Sequence, residues 1–174
     1  MINLGHQQQP ALGTAPLTVL SQTNSNAGIT GAQSAAWPSG TPRQGELYRL
    51  WFTWQFVHTA AATPLVQFTL GVFGVDLSLS VTPVATAGTF NGECEGWVTF
   101  ITLGAAGTVR RALIVRGYGL QAANQWGGGM VQDTTAVTVN QNVAGQLTLR
   151  ANMVTAVAAN TLSLCQGSCE RVMG

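Results

Sequence analysis

The stretch from Glu46 to Thr59 alternates with a period of two, and this constrains the fold more than any other feature of the 174-residue chain. Tyr48, Leu50, Phe52, Trp54, Phe56 and His58 fall on one side, and Arg49, Thr53, Gln55 and Thr59 on the other. Successive side chains of an extended chain point to opposite faces, so this is a long strand with one buried face. The pattern recurs in Val66, Phe68, Leu70 and Val72 after the Thr63-Pro64 break. It returns on odd positions in Leu77, Leu79 and Val81 after Gly74, where Pro83 ends the strand or marks it as an edge. Trp97 to Leu103 is apolar on both faces, Gly104 to Gly107 supplies a turn, and Val109, Leu113 and Val115 lead on to Gly117, which together read as a hairpin. Beyond a loop over residues 117–130, strands are expected at Val137 and Val139, from Leu147 to Met153, and at Leu162 and Leu164. No long window carries a helical stripe, although Ala156 to Asn160 fits a single turn. The expected fold class is all-β, an antiparallel jelly-roll-like β-sandwich of about eight strands, with an up-and-down barrel the alternative that alternation leaves open.

Residues 1–44 read differently from residues 45–174, which hold the β-sandwich domain. The first segment is rich in Gln, Ser, Thr, Ala, Gly and Pro, with isolated apolar residues rather than a periodic face. Only Leu17 to Leu20 suggests a strand. Such a segment cannot bury enough apolar surface to offset its own ordering entropy, so it is expected to be an extended N-terminal arm that docks on a neighbour. Leu17, Leu20 and Trp37 are its expected partner-binding anchors.

Charge separates the function classes. Asp, Glu, Lys and Arg make up 7% of the chain, against about 25% in an ordinary soluble domain. All seven basic residues are Arg, so Schiff-base, phosphate-loop lysine and Ser-Lys chemistries are excluded. A formal net charge of +1 with scattered arginines fits nucleic acid poorly, because phosphate neutralisation supplies most of that binding. A surface so poor in charge suits a protein covered by copies of itself or by a partner. No positive charge precedes Arg43 and no apolar run approaches the about 18 residues that span a bilayer, so neither a leader peptide nor a membrane partner is expected.

Candidate chemistry is sparse. Cys94, Cys165 and Cys169 form no Cys-x-x-Cys pattern and have no nearby His, so three thiols in a reducing cytosol are expected rather than a metal site or a disulfide framework. On one strand Cys165 and Cys169 would stand about 13 Å apart, too far to bond unless the chain turns at Gly167-Ser168. His6 lies in the arm, and His58 is expected to cap the aromatic face at a strand end. Glu93 and Glu95 flank Cys94 on one strand face; such neighbours belong more to a solvated edge than to a glycosidase pair or a calcium site. Gly127-Gly128-Gly129 lacks the Lys and the following helix of a phosphate cradle. Asp76 and Asp133 have no partner histidine in the pattern. No catalytic residue, metal or cofactor is expected. Of the five Trp, Trp54 belongs to the core face, whereas Trp51 on the opposite face and Trp126 in the long loop are candidate surface contacts.

Several short motifs resemble the small β-sandwich proteins on the virions of tailed bacteriophages, which include capsid decoration (cement) proteins, head fibres and minor tail proteins. They are Gly45-Glu46-Leu47-Tyr48-Arg49-Leu50, Gln67-Phe68-Thr69-Leu70-Gly71-Val72, Gly96-Trp97 leading into Thr102-Leu103-Gly104, Gly107-Thr108-Val109 and Ala159-Asn160-Thr161-Leu162-Ser163-Leu164. The resemblance implies a non-enzymatic virion structural protein made in the host cytoplasm and seated on the capsid surface. Its partners would be the major capsid protein and itself, as a homotrimer. The alternatives are a receptor- or carbohydrate-binding head of a fibre or tail, with Trp51 and Trp126 as stacking platforms, and a small jelly-roll protein that forms the shell itself.

Overall fold

The computed structural model describes residues 20–23, 34–37, 42–58, 65–82, 87–119, 128–142, 145–154 and 160–173. Among these residues there are eleven strands and no helix: β1 (Leu20–Thr23), β2 (Ser34–Trp37), β3 (Leu47–His58), β4 (Val66–Val72), β5 (Val75–Val81), β6 (Gly88–Thr102), β7 (Gly107–Gly119), β8 (Gly129–Gln132), β9 (Val137–Val139), β10 (Gly145–Met153) and β11 (Thr161–Met173). The larger sheet has the order β1-β11-β3-β6-β7-β8, with β9 also pairing with β7. The smaller sheet has the order β2-β10-β4-β5. Every ladder is antiparallel.

The alternation of β3 is realised residue by residue. Tyr48, Leu50, Phe52, Trp54, Phe56 and His58 are buried and the residues between them half-buried. Facing them, β4 and β10 present Val66, Phe68, Leu70, Val72, Leu147, Leu149, Ala151 and Met153, all buried. The Phe68 ring stands 6.3 Å from that of Phe52 and 5.7 Å from that of Trp54. The inner faces of the two sheets therefore share one core, in which each large side chain contributes roughly 1.5–3 kcal/mol by leaving water. β6 makes room for it with Gly92 and Gly96. A Cβ on Gly92 would run into the Trp54 indole and the Arg116 carbonyl, and one on Gly96 would come within 2.8 Å of Leu70.

One inward position of β7 is charged. Arg111 shares its strand face with buried Val109, Leu113 and Val115, and its own side chain is 3% exposed. Its Nε and Nη2 donate to the two Asp133 oxygens at 2.8 and 3.0 Å, and Nη1 donates to the Val75 carbonyl at 2.7 Å. Asp133 Oδ2 also accepts the Arg111 backbone N–H at 2.9 Å. A planar guanidinium in which each of the three nitrogens donates to a fixed oxygen offsets the desolvation that makes buried charges costly. The pair joins β7 and the residue after β8 to β5 of the other sheet.

Several expectations change. Eleven strands replace about eight because the nominally featureless segments also pair. β8 lies at the end of the stretch expected to be loop, β6 begins at Gly88 rather than near Trp97, and β11 runs on to Met173. Inside residues 1–44, β1 pairs with β11 and β2 with β10, each at an outer edge of its sheet. The β1 strand starts where the expected run from Leu17 to Leu20 ends, and residues 17–19 lie outside the described residues, as do Pro83 and residues 155–159. The phase switch from Leu70 to Leu77 comes from a two-residue hairpin at Phe73 and Gly74, both at positive φ (49° and 82°). Cys165 and Cys169 lie on the single strand β11, where Gly167 and Ser168 pair with β3 instead of turning.

Three outcomes are expected from this packing. Gly92→Ala should lower stability by about 2–3 kcal/mol, read as a reduced urea midpoint at unchanged slope, because both obstructing groups are fixed. Arg111→Met should cost about 3–5 kcal/mol by leaving the Asp133 carboxylate buried without its partner. Arg111→Met combined with Asp133→Leu should cost less than Arg111→Met alone, a non-additivity that a double-mutant cycle measures.

Candidate functional site

Alternation along three neighbouring strands builds the outer face of the larger sheet. The odd residues of β3 and β6 and the even residues of β7 point away from the core. Register sets them side by side: Trp51 opposite Glu95, Arg49 opposite Trp97, Glu95 opposite Ile114 and Glu93 opposite Arg116. Arg49 Nη2 is paired with Glu95 Oε1, and the Arg49 guanidinium lies over the Trp97 ring at 5.5 Å from its centroid. Arg116 Nη1 donates to Glu93 Oε1 at 2.9 Å and to Glu95 Oε2 at 3.3 Å. Gln55 Nε2 donates to Asn91 Oδ1 at 3.1 Å further along the same face. On this face two arginines and two glutamates thus pair with one another beside two half-buried tryptophans.

Electrostatics keeps Glu95 ionised. Burial pushes the Glu95 carboxyl up, but hydrogen bonds and attraction from Arg49 and then Arg116 outweigh it and hold the group below the usual glutamate range. Glu93 and then Glu95 raise Arg116 further above its ordinary value. On the other side of the strand, burial and then the Glu95 charge push the Cys94 thiol well up, leaving it an inert core residue. Glu95, held by two arginines, stays charged and is not poised to exchange protons with a substrate.

The same use of charge extends over the molecule. Glu46, 1% exposed, accepts from the Tyr48 hydroxyl and the Arg43 N–H at 2.8 Å each, and from Arg171 Nη1 at 2.9 Å. Asp76 is paired with Arg150 across the smaller sheet. Every carboxylate whose side chain is described, namely Glu46, Asp76, Glu93, Glu95 and Asp133, is paired with an arginine.

The residues singled out from sequence fall as follows. Trp51 lies on the outer face, as alternation requires, and Trp54 is 1% exposed in the core. Leu20 opens β1 opposite Leu164, and Trp37 closes β2 opposite Gly145. Leu17, Trp126, His6 and Gly127 lie outside the described residues. His58 is buried at the end of β3, its ring 5.9 Å from that of Phe56 and nearly parallel to it. Glu93 and Glu95 do share a face, but a solvated edge is the wrong setting for them, because β6 is paired on both sides and both carboxylates are bound by arginine. Asp76 and Asp133 have arginine partners where a histidine was sought. Trp97, Arg49 and Arg116 belong to the face and were not singled out. Counting in twos puts Trp97 with Glu93 and Glu95, and Arg49 with Trp51, whereas bringing Arg49 and Arg116 up to the glutamates needs the register between strands. Among the described residues no three of His, Cys, Asp or Glu come together in a way that suits a metal. Comparison of the chain with protein-family models, curated proteins and solved structures finds no match.

The lowered Glu95 value sets a pH signature. An ion pair of this kind stabilises the fold above the range where an unfolded glutamate ionises, and that contribution is lost as pH falls through the lower folded value. Glu95→Gln should therefore cost about 0.5–1 kcal/mol near neutral pH, in the range of pairs that water still screens. The variant and wild-type stabilities should converge as pH falls through and below the glutamate range, as denaturant melts at several pH values would record.

Proposed function

We propose that the two sheets form a jelly roll and that the protein is a non-enzymatic virion structural protein, a capsid decoration protein that bridges and stabilises the capsomers of a tailed phage head. The strand order supports the first part. β4 pairs with β5, β3 with β6, β2 with β10 and β1 with β11, a nested antiparallel ribbon, and the pairings of β11 with β3 and β10 with β4 roll that ribbon into two sheets. The strands β7, β8 and β9 extend the larger sheet between the sixth and seventh members of the nest. Jelly rolls of this kind serve in viral capsids and lectins.

The observation that carries the functional reading is the engagement of every described carboxylate inside the fold. Free proteins use dispersed surface charge to stay apart. Among the described residues this chain pairs five of its arginines with its own carboxylates, and its net charge is only +1, as suits a subunit packed among other proteins. The motifs quoted above point to the phage virion. Many modest contacts per copy, repeated by the symmetry of a shell, give firm attachment without a strong single site.

A second reading has its own support. The nested strand order is also that of proteins that build the shell itself, so a small capsid subunit is the rival. Mixing the purified chain with undecorated heads and sedimenting them separates the readings. The decoration reading expects stoichiometric occupancy of the heads, and loss of attachment by a chain lacking residues 1–19 that keeps β1, β2 and its melting temperature. Closed particles formed by the chain alone would favour the shell subunit. Binding to host glycans but not to heads would move the protein to a fibre or tail.

A further inference from the structure

We infer that one end of the larger sheet, where Arg43 and Arg110 accompany exposed Leu103 and Val172, is a docking surface for an acidic segment of a different protein. Five of the seven arginines, Arg49, Arg111, Arg116, Arg150 and Arg171, hold carboxylates of the chain itself. Arg43 and Arg110 are exposed, and among the described residues neither guanidinium meets a carboxylate. The fold brings both to the same end. Leu47 of β3, Thr99 of β6 and Arg110 of β7 form one cross-strand row, which puts Arg110 two strand spacings, about 10 Å, from β3. Gly45 and Glu46 extend the β3–β6 ladder through backbone bonds with Phe100, and Arg43 opens the turn that precedes it, closed by the Glu46 N–H donating to the Arg43 carbonyl at 3.2 Å. The Glu46 carboxylate at this turn is buried and already accepts from Arg171, Tyr48 and the Arg43 N–H. Leu103, 46% exposed, follows the last residue of β6; Val172, 42% exposed, precedes Met173, the partner of Leu47 in the ladder. Arginine beside exposed aliphatic side chains is a composition that protein interfaces favour.

The charges of the chain select the occupant. It has six acidic side chains, of which five are paired with arginine, and the sixth, Glu170, stands opposite Arg49 in the register of β11 and β3. All six lie among the described residues, so the segments outside them hold no acidic side chain. Neither another part of this chain nor a second copy of it therefore has a spare carboxylate for Arg43 and Arg110. Two guanidinium groups are also too few for a nucleic acid, whose binding rests on a row of neutralised phosphates. The partner that fits is a peptide segment with carboxylates on either side of an apolar residue. Each arginine can hold a carboxylate through two parallel N–H donors, and the apolar residue would cover Leu103 or Val172. This surface goes beyond the proposed function and does not rest on it.

Fluorescence anisotropy of a short labelled peptide of alternating glutamate and leucine, titrated with the full chain, tests this. The wild-type chain should bind it saturably, and the same peptide with glutamine in place of glutamate should bind at least about tenfold more weakly. Arg43→Gln and Arg110→Gln alter exposed side chains, so both should keep the wild-type melting temperature. Each should weaken binding by about fivefold, and the two together by about 20-fold or more. Leu103→Ser should weaken it by about threefold with no change of charge. Arg150→Gln removes the same charge from the outer face of the smaller sheet and should alter binding by less than about twofold. No binding by the wild-type chain at up to about 1 mM overturns the assignment. So does equal binding of the glutamine peptide, a double variant that binds like the wild type, or tighter binding of a single-stranded oligonucleotide through the same two arginines.

Discussion

Arginine–carboxylate contacts made within the chain govern how this protein is built and what it shows to its surroundings. They join residues far apart in sequence: Glu46 to Arg171 at a separation of 125 residues, Asp76 to Arg150 at 74 and Arg49 to Glu95 at 46. Each adds a fixed polar contact to a register that the buried apolar faces already favour. Arginine suits this work better than lysine, since its flat fork reaches two oxygens at once and is more weakly hydrated. Arg111 reaches both oxygens of Asp133 and a carbonyl of the opposite sheet together. The absence of lysine and the low charge of the chain thus have one structural sense, in which the basic residues serve chiefly as fasteners.

The apolar core depends on the same precision. Trp54 lies against Gly92, and Leu70 against Gly96, so the central strand β6 yields volume to aromatic and leucine side chains from both sheets. Behind that strand Cys94 is sealed in the core, and in front Glu95 is held ionised by two guanidinium groups. Burial on one face and charge neutralisation on the other are consequences of one two-residue repeat. The pairing scheme is dominated by contacts distant in sequence, which makes loop closure the main entropic cost of folding and gives the β4–β5 hairpin, closed by Phe73 and Gly74, the shortest loop to close.

The central strands were legible in sequence because one of their faces is apolar without interruption. Phe52, Trp54 and Phe56 in β3, and Leu147 and Leu149 in β10, announce their burial by spacing. The first half of β6 was not legible, since Gly92, Glu93, Glu95 and Gly96 look like turn and surface chemistry until Trp54 and Leu70 are seen to need that space. β1, β2 and β8 are four-residue strands whose pairing comes from their neighbours and not from a pattern of their own. At the candidate site, alternation placed Trp51 outward and put Glu93 and Glu95 on one face. It put Arg49 on the Trp51 face but could not bring Arg49 and Arg116 to the two glutamates, because which strands lie side by side is a property of topology that local periodicity does not carry.

Among the described residues most of the charge is paired within the chain, which leaves few charges for contacts between molecules. The most direct measurement is the self-association constant of the wild-type chain by sedimentation equilibrium as sodium chloride rises from about 0.05 to about 0.5 M, a range over which contacts between exposed charges are largely screened. The account predicts a measurable constant that changes by less than about threefold across that range, because few uncompensated charges meet. A constant that falls by more than about tenfold would contradict it, since intermolecular ion pairs would then be holding the copies together.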